Sequence, residues 1–316
     1  MRRVMTAVLA AFAILSTVAA SQAQLRRGPE YFPNLPVVNQ NGEQLKFYDD
    51  LVKDKIVVFM FIYTSCTDIC PLTTARMTLI EDKLGPLVGK DIFIVSMTVD
   101  PAVDTPDKLK AYSKAFATGP GWSFVTGKPE DIRAINYRLG ERSKVLSEHR
   151  NEIVLGNDVT GEWQRDNVMG DLDRVVATIR EMDPKYRDQV RPVTSNPAMN
   201  TGLAMSHQPG QAMYKKICTP CHTIGVGDKV GPDLRGVTER RDRAWLVSYL
   251  RNPPAMLAKG DPIAVALAAK FEPIRMPNMR FSEQDADDLI SYLHEENAKL
   301  VEAPPPAGQK QHEHKH

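Results

Sequence analysis

Seven consecutive residues, Ile56-Val57-Val58-Phe59-Met60-Phe61-Ile62, carry no polar side chain. A run of that length, bounded upstream by Asp54 and Lys55 and rich in β-branched and aromatic residues, predicts a strand buried on both faces. Upstream, two short segments around Asn41-Gly42 predict a hairpin over Val37 to Phe47. Downstream the period lengthens: Leu72 to Leu84 has apolar Ile80 and Leu84 among good helix formers and predicts a helix. Ile92 to Val99 predicts a second buried strand. Thr105 then caps a helix with Pro106 at its first position, and Leu109, Tyr112 and Phe116 follow at helical spacing. Trp122 to Gly127 predicts a strand, Pro129 to Leu139 a helix, Glu152 to Leu155 a strand turning at Gly156-Asn157-Asp158, and Asp171 to Met182 a last helix. Strands alternating with helices predict an α/β sheet with helices on both faces.

The pattern breaks after Asp183. Pro184, Pro192, Pro197 and Pro209 lie among polar residues, which predicts a linker over 184–204 that lets two units approach transiently. A mainly helical unit occupies 205–300. Ser282, with Asp285 three residues on, opens its final helix, whose apolar face is Ala286, Leu289, Ile290 and Leu293. Residues 301–316 have a disordered composition, with alternating His312, His314 and His316 that suit loose Cu(II) or Ni(II) capture, or are incidental to a solvated tail. At the other end Arg2 and Arg3 precede an apolar run from Val4 to Ala20 and the small residues Ser21-Gln22-Ala23. This predicts a signal peptide over 1–23, cleavage after Ala23 and export to the periplasm. The alternative is an uncleaved membrane anchor, because the run is barely short of the roughly 20 residues a spanning helix needs. The first unit then occupies 24–183.

Composition narrows the partners. Forty Lys and Arg against 39 Asp and Glu leave a net charge of +1, so nothing points to nucleic acid. The 316 residues hold four cysteines, in two close pairs, Cys66 with Cys70 and Cys218 with Cys221. A disulfide-stapled domain scatters more cysteines than this, so the pairs read as two chemical sites. At a strand-to-helix turn, Cys66 and Cys70 fall on one face, a helical turn apart. A helix N-terminus there favours the thiolate, which is both nucleophile and metal ligand. A structural disulfide or a buried thiol pair is the plainer alternative.

Cys218-Thr219-Pro220-Cys221-His222 has the spacing for covalent haem attachment: two thioethers and an adjacent imidazole as axial ligand. With the helix Gln211 to Ile217 before it, Val230-Gly231-Pro232-Asp233-Leu234 after it and Arg275-Met276-Pro277-Asn278-Met279 ahead of the last helix, 205–298 resembles a class I c-type cytochrome. That resemblance makes Met276 the second axial ligand of haem c, with Met279 its rival, and implies an all-α fold that moves single electrons. Zinc is disfavoured, because no second Cys/His pair lies nearby to complete four ligands.

A metal at Cys66 and Cys70 needs a third ligand. Of seven histidines, His222 belongs to the haem motif, His207 and His294 to the same unit, and three to the tail. His149 alone lies in the α/β unit. Two thiolates and an imidazole suit copper in both oxidation states. Residues 30–183 are similar to the Sco/SenC family through Tyr63-Thr64-Ser65-Cys66-Thr67-Asp68-Ile69-Cys70-Pro71-Leu72-Thr73-Thr74, Val99-Asp100-Pro101 with Asp104-Thr105-Pro106, and Gly121-Trp122-Ser123-Phe124-Val125-Thr126-Gly127. His149 falls where that family places its copper histidine, although Arg150-Asn151-Glu152 separate it from the apolar strand. The resemblance implies a thioredoxin-like fold with a mixed central sheet and flanking helices. It also implies a copper chaperone or assembly factor for the Cu(A) centre of cytochrome c oxidase or another cuproenzyme. A thiol-disulfide reductase in which Cys66 and Cys70 are the redox-active pair is the alternative. A plain electron-transfer protein with a docking domain for redox partners is a third reading. The fused haem adds the expectation that it reduces the bound copper.

Overall fold

The computed structural model describes residues 27–149, 151–187 and 209–302. The leader, most of the linker, the start of the second unit including His207, and the histidine tail lie outside the described residues. The apolar run is strand β3 (Ile56–Ile62), every residue of it buried. It sits in a seven-stranded sheet with β1 (Pro36–Asn39), β2 (Gln44–Lys46), β4 (Ile92–Thr98), β5 (Trp122–Thr126), β6 (Glu152–Asn157) and β7 (Glu162–Asn167), in the order β2-β1-β5-β4-β3-β6-β7. β3, β4 and β5 run parallel, while β6 pairs antiparallel with β3, and β1 with β5. This is a mixed, thioredoxin-like sheet.

Alternation along β3 explains its lack of polar positions. Ile56, Val58, Met60 and Ile62 enter one core with Met77, Ile80, Leu109, Tyr112 and Ile179. Val57, Phe59 and Phe61 enter a second core on the opposite face with Phe47, Ile132, Ile135 and Leu139. A strand covered by helices on both faces has no solvent side on which to place polar residues. The first face carries helices α1 (Cys70–Leu84), α2 (Pro106–Ala115) and α4 (Leu172–Glu181). The second carries α3 (Pro129–Leu139). Thr105 caps α2 through its side chain, and Asp171 caps α4.

Three features differ from the sequence expectation. Strand β7 is mostly exposed and polar, so it shows no hydrophobic alternation, yet its backbone pairs with β6 over six residues. Of the turn expected at Gly156-Asn157-Asp158, only Asp158 is in the turn, because β6 continues through Asn157. Pro184–Arg187, expected as linker, is a helical turn, α5. It is tied down by Lys185 to Asp91 and by Arg187 to Glu162.

The C-terminal unit contains α6 (Pro209–Met213), α7 (Val237–Arg240), α8 (Arg243–Arg251), α9 (Pro253–Ala258), α10 (Pro262–Lys270) and α11 (Glu283–Glu302). Ser282 and Asp285 exchange hydrogen bonds, Asp285 N–H to the Ser282 hydroxyl and Ser282 N–H to the Asp285 carboxylate, a reciprocal cap that starts α11. α6 crosses α11 so closely that a Cβ on Gly210 would lie 2.2 Å from the Asp288 carbonyl oxygen. The two units are docked, in contrast to the transient approach that a polar linker allows. Ile274 is buried in the same core as α1 and α2, with Cys221 and Val230 packed against it. Among the described residues no helix is long and apolar enough to cross a membrane.

Candidate metal centre

Helix α1 begins at Cys70 with Pro71 in its first turn. Cys66 therefore does not share a helix face with Cys70, as the four-residue spacing alone predicted. It sits in a turn opened by its own N–H bonding the Tyr63 carbonyl at 3.2 Å, which folds its thiol back over the helix N-terminus. His149 follows a short helical turn, Leu146–Glu148, and adopts an extended conformation leading into β6. The antiparallel register pairs Phe59 with Val154, so each step toward the C-terminal end of β3 is a step toward the N-terminal end of β6. His149 is thereby carried alongside residues 63–65 despite the three polar residues that separate it from the apolar strand. The Cys66, Cys70 and His149 ligand atoms all lie within 4.8 Å of one another, and all three residues are buried. Cys70 Sγ is 3.2 Å from His149 Nε2.

The two thiols are electrostatically unlike. Hydrogen bonding from Cys70, helped by His149 and Tyr63 against the effect of burial, pulls the Cys66 thiol down to about 4. Burial, and then the neighbouring Cys66, push Cys70 well above the ordinary thiol range. The two shifts run in opposite directions and favour the thiolate at Cys66, a charge that attracts a cation. Tyr63 stacks its ring edge-on against His149 at 5.6 Å. Beneath the turn, buried Asp104 accepts hydrogen bonds from the Thr64 N–H at 3.1 Å, the Thr64 hydroxyl at 2.5 Å and the Thr98 hydroxyl at 2.6 Å. Sequence reasoning had Asp104 only as part of the Asp104-Thr105-Pro106 motif and gave it no role, because Thr64 lies 40 positions away and nothing local shows what the carboxylate accepts.

A cavity of about 420 Å³ in the second unit is lined by Cys218, Cys221, His222 and Met276, and also by Thr67 and Pro71 of the first unit. Met279 is not among its lining residues. The residues fit a haem. The His222 Nδ1 lies 2.9 Å from the Pro232 carbonyl, which can only accept, so Nδ1 carries the proton and Nε2 keeps its lone pair for a metal. Burial lowers the His222 pKa against the raising effect of that bond, which keeps the ring neutral. Gly231 lies against the ring: a Cβ there would come within 2.6 Å of Cε1. Burial pushes Cys218 and Cys221 up to about 12. Their shift is opposite in direction to that of Cys66.

Comparison with known proteins follows the same division. Residues 26–153 match the SCO1/SenC family, and residues 207–296 match cytochrome c. The chain is similar to a SCO2-like protein of Rickettsia felis, 37% identical over 99 residues, 31% of this chain and 46% of that one. It is 34% identical over 90 residues to the SCO1 protein homolog of Bacillus subtilis, 28% of this chain and 45% of the relative. The chain thus spans about half the length of the curated relatives it matches. Among solved structures, a SCO1/SenC family lipoprotein from Bacillus anthracis aligns with a TM-score of 0.43 at 22% identity, covering 51% of this chain and 98% of that one. Arabidopsis thaliana ScoI with copper bound aligns with a TM-score of 0.41 at 22% identity, over 48% and 97%.

Proposed function

We propose, for a chain that joins a SCO1/SenC domain at residues 26–153 to a cytochrome c domain at 207–296, that it binds copper for delivery to a cuproenzyme and reduces that copper within one molecule. The observation that carries this reading is the convergence of Cys66, Cys70 and His149 into one buried group. The cysteine turn of that group also walls the cavity holding His222 and Met276. Two sulfurs and one nitrogen accommodate Cu(I), and the imidazole keeps Cu(II) within reach.

Cys218 and Cys221 would hold a haem covalently, His222 and Met276 line its cavity as the residues that would ligate it, and a haem so held would supply single electrons at a potential raised by His-plus-Met ligation. Cu(II) held by Cys66, Cys70 and His149 takes up one electron and becomes Cu(I), with no proton or bond change required of the cysteines. A Cys66–Cys70 disulfide would need two electrons and could not hold the ion, so a one-electron partner matches copper more simply. Restoring the reduced state takes a one-electron carrier from outside the chain. The Cu(A) site of cytochrome c oxidase is the recipient that the family points to. The N-terminal basic and apolar segment supports export to the periplasm.

A second reading, reduction of disulfides in cuproenzymes, is favoured by one feature: a low-pKa Cys66 beside a buried, protonated Cys70 is the arrangement of an attacking and a resolving thiol. Optical and EPR spectra of the haem-loaded protein with ferric haem and reduced thiols, taken after Cu(II) is added, separate the two. One equivalent with a thiolate-to-copper band, lost in His149→Ala, supports copper binding; a protein that leaves Cu(II) in its free form sinks it. Stopped-flow mixing then tests reduction, since haem oxidation no faster than in Cys66→Ala would remove that step.

A further inference from the structure

Two polar contacts between the domains fall on the loops that carry the chemistry. Thr67 and Asp68 lie between the two cysteines, and Asn278 and Arg280 lie just beyond Met276. The Asn278 N–H donates to the Thr67 carbonyl at 3.1 Å, and the Arg280 guanidinium pairs with the Asp68 carboxylate at 3.3 Å. Arg280 has a φ of 55°, a left-handed conformation that glycine adopts at lower cost. Its N–H is held by the Asn278 side-chain oxygen at 2.9 Å.

Arg76 backs this contact from α1. It is 3% exposed, yet its guanidinium donates to three main-chain carbonyls, Val168 at 2.8 Å, Gly170 at 2.6 Å and Lys216 at 2.9 Å. The first two belong to its own domain, and Lys216 precedes the haem-attachment Cys218 by two residues. The planar fork reaches all three at once, which a lysine ammonium on a flexible stem cannot reproduce. The copper-bearing helix and the haem-bearing segment therefore share one buried cation.

We infer that Arg76, with Asn278 and the Asp68–Arg280 pair, positions the cytochrome domain on the cysteine turn so that electrons reach copper within one chain by a fixed route. Thr67 and Pro71 line the haem cavity and are each one peptide bond from a copper ligand, Cys66 and Cys70. The purpose of this interlock rests on the copper-reduction reading; its geometry does not. The exposed ion pair contributes little by itself. Arg76 carries the larger share, because its loss strands the buried Val168 carbonyl and unties the Gly170 and Lys216 carbonyls from one another.

The experiment uses the full-length haem-loaded protein with two readouts: amide hydrogen exchange at Asn278 without copper, and the rate of haem oxidation after mixing with Cu(II) at several protein concentrations. The wild type is expected to show a protected Asn278 amide and a concentration-independent rate. R76M is expected to speed exchange and slow oxidation, each by roughly tenfold, with the thiolate-to-copper band unchanged. R280E moves both readouts the same way by a smaller factor, and adding D68R to R280E restores them. Should R76M fail to fold, the charge swap decides. An unprotected Asn278 amide in the wild type, or a swap that restores neither readout, overturns the interlock. If no electron reaches copper while exchange protection and its restoration persist, the copper-reduction reading fails and the interlock stands.

Discussion

Replacing Asp104 with asparagine tests how the cysteine turn is held. The carboxylate is fully buried, and its two oxygens accept the Thr64 N–H and the hydroxyls of Thr64 and Thr98. Asparagine keeps the shape but has one acceptor oxygen where three donors converge, so one of the three bonds is lost or reversed. Leaving a buried donor unpaired costs about 1–3 kcal/mol, which sets the expected loss near 2 kcal/mol at acidic pH, where the carboxyl is neutral. The pH dependence follows from the direction of the pKa. Burial outweighs the hydrogen bonds and holds the Asp104 pKa above its ordinary value. A group raised on folding stabilises fully below its unfolded pKa, and that contribution falls as pH rises through the folded value. The difference between wild type and D104N should therefore be largest at low pH and shrink toward neutrality. Urea denaturation of both proteins, followed by tryptophan fluorescence from about pH 4 to pH 7, measures it. A difference that grows with pH would refute the reasoning, because it would mean that the three donors outweigh burial.

Three further outcomes are expected. In the reduced, copper-free protein the Cys66 thiolate, with its pKa near 4, should be alkylated by iodoacetamide at a nearly constant rate from roughly pH 5.5 to 8. Cys70→Ala should shift that profile to higher pH by removing the largest stabilising hydrogen bond; mass spectrometry of quenched samples reads both. Gly231→Ala places a methyl against the His222 ring at an overpacking cost of about 1–3 kcal/mol, and should convert the low-spin ferric EPR spectrum toward high spin. Met276→Leu should abolish the methionine-to-iron charge-transfer band and lower the haem potential, whereas Met279→Leu should leave both in place.

The buried strand Ile56–Ile62, the Thr105-Pro106 cap and the Ser282–Asp285 cap were legible because each depends on local chemistry written in adjacent residues. Strand β7 was not, because its pairing is main chain to main chain and its exposed side chains carry no period. Both cysteine pairs were legible as separate sites from spacing, but how differently their thiols are shifted was not. Cys66 is stabilised as a thiolate by Cys70 and His149, while burial pushes Cys218 and Cys221 in the opposite direction.

By itself the sequence determined the two-unit plan, the covalent haem motif and a cysteine turn after a buried strand, since these are set by composition and by neighbours within a few residues. Tertiary structure decided which histidine meets the thiols, because only the antiparallel register of β6 on β3 carries His149 to the end of β3. It also decided that the two sites share a wall. Thr67 and Asn278 stand 211 positions apart in the chain, and no local pattern can encode a bond between them; packing of the cytochrome domain onto the first core brings them together.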